Sequence, residues 1–428
     1  MKVNTTKHPS LPRPTGGWPV AVGLVAQYLD RPCRADSLLA AERPGMDARD
    51  FATAQQLFYS VLRNLSLLKA ALERLCVKKP SAGCYALLMV AGAELMRDGS
   101  LEQRAKVTDH AVRMAEKLLS PGMKGFVNAV VRRLPESMEK VTLAAPSECA
   151  ALALRHSHPE WLVARWMTEF GPENTKTLLE WNQTVPPVYL RMESGQAAPD
   201  ALSPSAHEGY LTYNGTGWDK VDALLSAGKA YAQDPSTGLC VQLLAPAAGE
   251  KVLDLCASPG GKARQMLPKI GEAGRVVCVD LPDRVERLAE NLHGRANASI
   301  LSADLFDLTP ALFASKSLPE SYDAVLLDAP CSNTGVLRRR PDARWRLGAG
   351  DIEQCAALQL RLLGKAAEFV APGGRLVYST CSVERVENEA VADAFVQAKP
   401  GFAIVESKRL LPWSDGVDGA GATLFRRV

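Results

Sequence analysis

The stretch Val252-Leu253-Asp254-Leu255-Cys256-Ala257-Ser258-Pro259-Gly260-Gly261-Lys262 decides the fold. Its first half is a short, mostly apolar run that reads as a buried strand, and its second half is a tight turn with two glycines that opens onto a helical pattern. Outward from it the same alternation repeats. Strands are predicted at 251–256, 275–280, 298–301, 323–328 and 375–380, and helices at 261–269, 283–293, 351–371 and 385–398. Strand–helix alternation of this kind predicts a parallel sheet with helices on both faces, here an α/β domain over residues 231–428. Phe402-Ala403-Ile404-Val405 and Thr423-Leu424-Phe425 are candidates for two final strands.

Upstream the pattern changes. From 17 to 140 apolar residues recur at three- and four-residue spacing, as in Phe58, Val61, Leu62, Leu65, Leu68, Leu72 and Leu75, which predict one face of a long helix. Phe126, Val127, Val130 and Leu134 repeat the pattern after Pro121-Gly122, so this region is an all-α bundle. Residues 141–230 form a small mixed α+β region, with a helix from Pro159 to Trp181, a strand at Pro187–Arg191 and a loop from Ala197 to Gly209. Residues 1–16 are polar and Pro-rich and are predicted to be disordered.

Composition excludes several classes. The chain has 428 residues, enough for two or three domains, and its hydrophobic content of 47% supports packed cores. The most apolar stretch, Tyr85 to Met96, is too short to span a bilayer and carries Glu94, so it reads as a buried helix. No secretory signal is legible, and a cytoplasmic protein without membrane contact is expected. None of the ten cysteines forms a C-x-x-C pair and no histidine cluster completes a zinc pattern, so no metal is expected. A net charge of +3 does not by itself imply nucleic acid. Arg338-Arg339-Arg340 with Arg344 and Arg346, and Arg132-Arg133, are local basic clusters. The ordinary reading is a solvated face, but the first follows a candidate site directly and is equally a candidate for phosphate contact.

In an open parallel sheet ligands bind at the carboxyl ends of the strands. Three predicted strands end in chemistry-bearing residues there. Ser258 to Lys262 form a Gly-rich turn that is not G-x-G-x-x-G, and Asp280 ends the next strand, where a carboxylate suits the hydroxyls of a ribose. Asp304 follows the third strand and is a candidate for the adenine side. Ribose and adenine without a diphosphate fit S-adenosyl-L-methionine better than NAD. Asp328-Ala329-Pro330-Cys331 and Ser379-Thr380-Cys381-Ser382 end two further strands and bring two thiols and a carboxylate to the same edge. A lone cysteine in such a place is usually a structural thiol; two of them beside Asp328 point to a methyl transfer that uses a cysteine nucleophile. Carbon 5 of cytosine becomes nucleophilic once a thiolate adds to carbon 6, and such a scheme needs a cysteine, a carboxyl group near ring N3 and an activated methyl. Cys381 and Cys331 are both candidates.

These segments resemble the RNA (cytosine-5) methyltransferase family, and within it the bacterial ribosomal-RNA small-subunit methyltransferase B (Sun/Fmu) group. The resemblance rests on Gln233-Asp234-Pro235-Ser236, Cys256 to Lys262, Leu327-Asp328-Ala329-Pro330-Cys331-Ser332 and Ser379-Thr380-Cys381-Ser382. It extends to Ser157-His158-Pro159-Glu160-Trp161-Leu162 and to Gly125–Leu134, the latter similar to the end of a NusB-like domain. It implies an RNA-binding NusB-like bundle, a small α+β region and a Rossmann-like methyltransferase domain. It also implies that Cys381 attacks carbon 6, that Cys331 assists release of the product, and that Lys262 lies near both ligands. Cys256, Ala257, Ser258, Pro259, Gly260, Gly261, Lys262, Asp280, Asp304 and Asp328 would line the S-adenosyl-L-methionine site, with Asp328 also reaching the cytosine. The segment Asp415–Ala422 departs from the family pattern by lacking an aromatic residue after Asp415-Gly416.

The resemblance implies methylation of a cytosine in small-subunit (16S) ribosomal RNA, and a monomer is expected. Two alternatives remain open at this point: a transfer-RNA cytosine-5 methyltransferase, and a non-catalytic NusB-like RNA-binding factor. Intact Cys331, Asp328 and Cys381 weigh against the latter.

Overall fold

The computed structural model describes residues 16–97, 100–193 and 195–428. The polar segment predicted to be disordered therefore lies, up to position 15, outside the described residues. The chain divides into two compact units: one runs up to Gln183 and includes Arg340–Arg346, and the other comprises Thr184–Arg339 and Leu347–Val428.

The first unit is helical. Its centre is the helix Ala82–Leu95, in which every residue from Cys84 to Leu95 is buried, as the uninterrupted apolar run requires. The amphipathic helices Gly17–Asp30, Ala48–Arg63, Leu65–Leu75, Leu101–Leu118 and Lys124–Leu143 turn their apolar faces to one common core. The single long helix expected through Phe58–Leu75 is two helices. Asn64 breaks it, with φ −114° and ψ 19°, and its amide nitrogen donates to the Ser60 carbonyl at 2.9 Å. A side chain that satisfies the preceding turn in this way ends a helix, so the apolar face continues across a joint that periodicity alone does not show.

Residues Arg340–Arg346 complete this unit, which corrects the reading of the long arginine cluster. Arg344 is fully buried and donates to the carbonyls of Ser157 at 3.1 Å and Asn182 at 3.2 Å. Trp345 donates to Leu62 O at 2.7 Å, and Arg346 pairs with Asp342. His158 is buried against Trp166 and hydrogen-bonded to Asn182, a structural histidine.

The second unit holds two sheets. The smaller is antiparallel, with β1 Tyr189–Met192, β2 Leu202–Pro204, β3 Leu211–Tyr213 and β4 Ala230–Ala232 in the order β2-β3-β1-β4. β2 lies inside the segment expected to be a loop. Its residues Leu-Ser-Pro carry little strand signal, and pairing with β3 supplies what propensity does not. The helix Trp218–Ser226 covers this sheet through Val221.

The larger sheet has β5 Lys251–Leu255, β6 Arg275–Asp280, β7 Ala298–Ser302, β8 Tyr322–Asp328, β9 Val370–Thr380, β10 Phe402–Leu410 and β11 Ala420–Arg427. Its order is β10-β11-β9-β8-β5-β6-β7. β5 to β9 are parallel, and β10 and β11 form an antiparallel hairpin with β11 inserted against β9. The central strands are buried on both faces, which is why they read as continuous apolar runs. Leu253 and Leu255 of β5 join the core on one face and Val252 joins the core on the other. The chain leaves β5 in one direction through β6 and β7 and returns on the other side as β8. The carboxyl ends of β5 and β8 therefore flank a topological switch point, where open α/β sheets form their ligand crevice.

Candidate active site

The residues predicted to carry the chemistry converge at that switch point. β8 ends in Asp328 and β9 in Thr380, paired in register so that Asp328 faces Ser379. The loops that follow bring Cys331 and Cys381 together, their sulfurs 3.1 Å apart. Asn333 holds this pair from one side. Its carboxamide oxygen accepts from Cys381 Sγ at 3.3 Å, while its nitrogen donates to the carbonyl of Cys331 at 2.7 Å, which fixes the amide's orientation. Asn333 sits in the left-handed region, φ 63°, one of the few places where asparagine replaces glycine at small cost. Gly335 lies against the same turn: its N–H donates to Cys381 O at 3.0 Å, and a Cβ on it would lie 2.3 Å from Gly419 O. Only glycine permits that approach.

Asp328 is anchored on both oxygens. Ser379 Oγ donates to one at 2.8 Å and Lys262 Nζ pairs with the other. Burial disfavours the charge on Lys262, but Asp328 outweighs it and holds the ammonium above the usual lysine range. Lys262 is therefore a fixed cation beside the thiols' crevice and not a solvated helix-start lysine. The hydrogen bond shared with Cys381 pushes the Cys331 thiol up, burial pushes it the same way, and the neighbouring Glu387 adds to this. Cys331 is held as the neutral partner of the pair.

The Gly-rich turn adjoins this constellation. Asp280, nearly buried at the end of β6, accepts from Ser258 N and from Leu281 N, both at 2.8 Å. Each carboxylate oxygen keeps a second lone pair for a hydroxyl donor. Gly260 has φ 98°, and a Cβ there would meet Leu288 Cδ1 at 3.0 Å. The helix Gly261–Ile270 starts without a side-chain cap, so its first N–H groups face the turn. A fixed diol acceptor beside a cradle of bare backbone fits the ribose and tail of S-adenosyl-L-methionine. Ala257 donates its N–H to Val279 O at 3.1 Å and Pro259 O accepts from Asn291 at 2.8 Å, so both shape the turn through the backbone. Cys256 has φ 59°, and burial pushes its thiol up to about 12, which makes it an inert part of the wall. Asp304 is exposed beyond β7 and its Oδ1 caps its own turn, accepting from Phe306 N at 2.9 Å. It follows Ala303, whose N–H donates to Asp280 O at 3.0 Å, so it stands one strand over from Asp280.

The structure corrects the phosphate reading of Arg338 and Arg339. Both guanidinium groups engage the buried Asp418, and Arg339 also reaches Asp234 at 2.6 Å. The segment Asp415–Ala422 thus contributes a buried acid that ties down the loop after Cys331. Arg191 lies over the ring of Tyr210 at 4.7 Å, a packing role. Sequence reasoning missed Asn333, Asp418 and Glu387. The one signal for Glu387 was the serine that follows each cysteine, because both hydroxyls donate to its carboxylate.

Comparison with known proteins bears on this geometry. A family model described as 16S rRNA methyltransferase RsmB/F matches residues 241–416. A NusB family model matches residues 23–136, and a model for a RsmF/B-like, ferredoxin-like methyltransferase domain matches 158–205. The ribosomal RNA small subunit methyltransferase B of Vibrio cholerae serotype O1 is 31% identical, covering 93% of this chain and 94% of its own length. That of Salmonella arizonae is 32% identical over 91% of both chains. Among solved structures, PH0851 is 22% identical with a TM-score of 0.75, covering 98% of this chain and 100% of that one. NSun6 from Pyrococcus horikoshii with SFG is 17% identical with a TM-score of 0.53, covering 63% of this chain. The two structures bear on the fold alone.

Proposed function

This chain belongs to the RsmB/F family of 16S ribosomal-RNA methyltransferases, and we propose that it methylates carbon 5 of a cytosine in small-subunit ribosomal RNA with Cys381 as the nucleophile and Cys331 as the releasing thiol. The observation that carries this reading is the 3.1 Å separation of the two sulfurs beside Asp328.

S-adenosyl-L-methionine, when bound, supplies the activated methyl group. Asp280 binds its ribose, and the turn Cys256–Lys262 lies along the remainder, with Asp304 at the adenine side. Asp328, fixed by Ser379 and Lys262, meets the ring edge of the cytosine at N3 and carbonyl O2. Cys381 adds to carbon 6 and loses its proton as it does so, and carbon 5 gains the electron density to accept the methyl. A water molecule then takes the carbon-5 proton, the carbon 6–sulfur bond breaks with its electron pair going to Cys381, and the ring double bond is restored. Cys331, kept neutral within contact of that sulfur, donates its own thiol proton to the departing thiolate, regains one from solvent, and so favours release.

A cytosine inside a stem cannot reach this crevice, so the target is unpaired or flipped out, at a cost of a few kcal/mol. Among the described residues no helix is long and apolar enough to cross a membrane. The NusB-like bundle is the element that grips the surrounding RNA, and Arg132 and Arg133, both exposed, remain available for phosphate.

The test is methyl transfer from labelled S-adenosyl-L-methionine to unmodified small-subunit ribosomal RNA and, separately, transfer RNA, with the label mapped by bisulfite sequencing. Label at one ribosomal cytosine, lost in Cys381→Ala, is expected. Label only in transfer RNA overturns the substrate and keeps the chemistry.

A further inference from the structure

Behind the two cysteines lies a carboxylate that the mechanism above does not use. Glu387 is completely buried, in the turn that follows β9. Four donors converge on it. Ser332 N at 2.9 Å and Gln359 Nε2 at 2.9 Å reach Oε1, while Ser332 Oγ and Ser382 Oγ, the latter at 2.6 Å, reach Oε2. Ser332 directly follows Cys331, and Ser382 directly follows Cys381.

We propose that Glu387 is a positioning residue that ties the loop of Cys331 to the loop of Cys381 and holds the two sulfurs in contact. The inference rests on the roles proposed above for the two cysteines. An ionised carboxylate has about four acceptor sites, and all four here are filled by protein donors. Glu387 therefore has no lone pair left to take a substrate proton, and it acts through its neighbours. The knot is itself anchored: Gln359 also donates to Pro330 O at 3.0 Å, and Tyr378 OH lies 2.9 Å from Gln359 Oε1 and bonds the Glu387 carbonyl. Thr334 Oγ1, 3.0 Å from Ser382 Oγ, adds a second tie between the loops.

A carboxylate in this place does two things a neutral group does not. It accepts from both serine hydroxyls at once, so each loop is held by the same atom. Its charge opposes a negative charge on Cys331, which keeps that thiol protonated while the substrate is bound.

Glu387→Gln separates this from a purely structural part. The amide keeps the size of the side chain, and the serine hydroxyls can turn to accept from its nitrogen, but the charge and the shared acceptor are gone. The variant is expected to bind S-adenosyl-L-methionine with unchanged affinity and to lose roughly 10²-fold in kcat, the scale of a misplaced reacting group. In a Cys381→Ala background, where one thiol of the pair remains, alkylation of Cys331 by iodoacetamide, read by peptide mass spectrometry, is expected to shift to lower pH when Glu387→Gln is added. Cys149 in the same digest is the control, because it lies outside this cluster.

Wild-type kcat in Glu387→Gln overturns the proposal, and so does a lower kcat with an unmoved Cys331 alkylation profile. If the variant does not fold, Ser382→Ala keeps the carboxylate and removes the hydroxyl through which Glu387 and Thr334 both hold the Cys381 loop, together with the acceptor for Glu384 N. A fall in kcat with unchanged cofactor affinity and melting temperature then supports the proposal, and unchanged kcat overturns it. Cys381→Ala, assayed alongside, distinguishes failure of this inference from failure of the nucleophile assignment: activity retained there removes the premise, not only the tether.

Discussion

Cys331 Sγ and Cys381 Sγ lie 3.1 Å apart although fifty residues separate them in sequence. The contact exists because β8 and β9 are parallel neighbours, so the loops leaving their carboxyl ends emerge side by side. The attacking and releasing roles proposed for these two thiols thus rest on the register of two strands.

The cofactor assignment rests on Asp280. Asp280→Ala removes the acceptor proposed for the ribose and the tie to Ser258 N. Hydrogen bonds to a charged group contribute about 1.5–3 kcal/mol each, so affinity for S-adenosyl-L-methionine, measured by calorimetry, is expected to fall at least tenfold. Unchanged affinity contradicts the assignment.

Asp418 offers a test on the stability side. It is buried and engages both Arg338 and Arg339. Removing one member of a buried ionic group costs roughly 3–5 kcal/mol, because the charges left behind stay desolvated. Asp418→Ala is expected to lower the urea midpoint by a corresponding amount. A change below about 1 kcal/mol would mean that water readily replaces the carboxylate, and would return the arginine run to its reading as a solvated face.

Asp254 sets a pH dependence. It is fully buried in β5, neither carboxyl oxygen has a hydrogen-bond partner, and burial pushes its carboxyl up to about 8. In the unfolded chain an aspartate titrates near ~3.9. Between these values the folded chain keeps a proton that the unfolded chain has lost. Stability therefore falls as pH rises from about 4 to about 8 and levels off above. Asp254→Asn removes that titration, so the urea midpoint of the variant relative to wild type is expected to rise between pH 5 and pH 8. A difference independent of pH would mean that Asp254 is ionised in the fold throughout.

Much of this was legible in the chain itself. The central strands of the larger sheet are buried on both faces and stand out as apolar runs, and strand-end placement alone brought Cys331, Cys381 and Asp328 to one crevice, while the place of Lys262 beside them came from the family resemblance. What stayed hidden depends on partners distant in sequence. Arg338, Arg339 and Arg344 look like a basic surface until Asp418 and the carbonyls of Ser157 and Asn182 are found beside them. The break at Asn64 is made by one side chain against the preceding turn, and β2 is a strand only because β3 pairs with it. Glu387 lies in a run that scans as amphipathic helix, and nothing local marks it as the acceptor for two serines on separate loops.

The central claim is the division of labour between the thiols, and trapping tests it most directly. Cys331→Ala, incubated with S-adenosyl-L-methionine and unmodified small-subunit ribosomal RNA, is expected to accumulate a covalent protein–RNA species on a denaturing gel. Digestion is expected to place the linkage on the peptide containing Cys381, and the species is expected to vanish in the Cys331→Ala, Cys381→Ala double variant. Free RNA alone, with turnover intact, would contradict the release role of Cys331. An adduct that survives the double variant would remove Cys381 as the nucleophile.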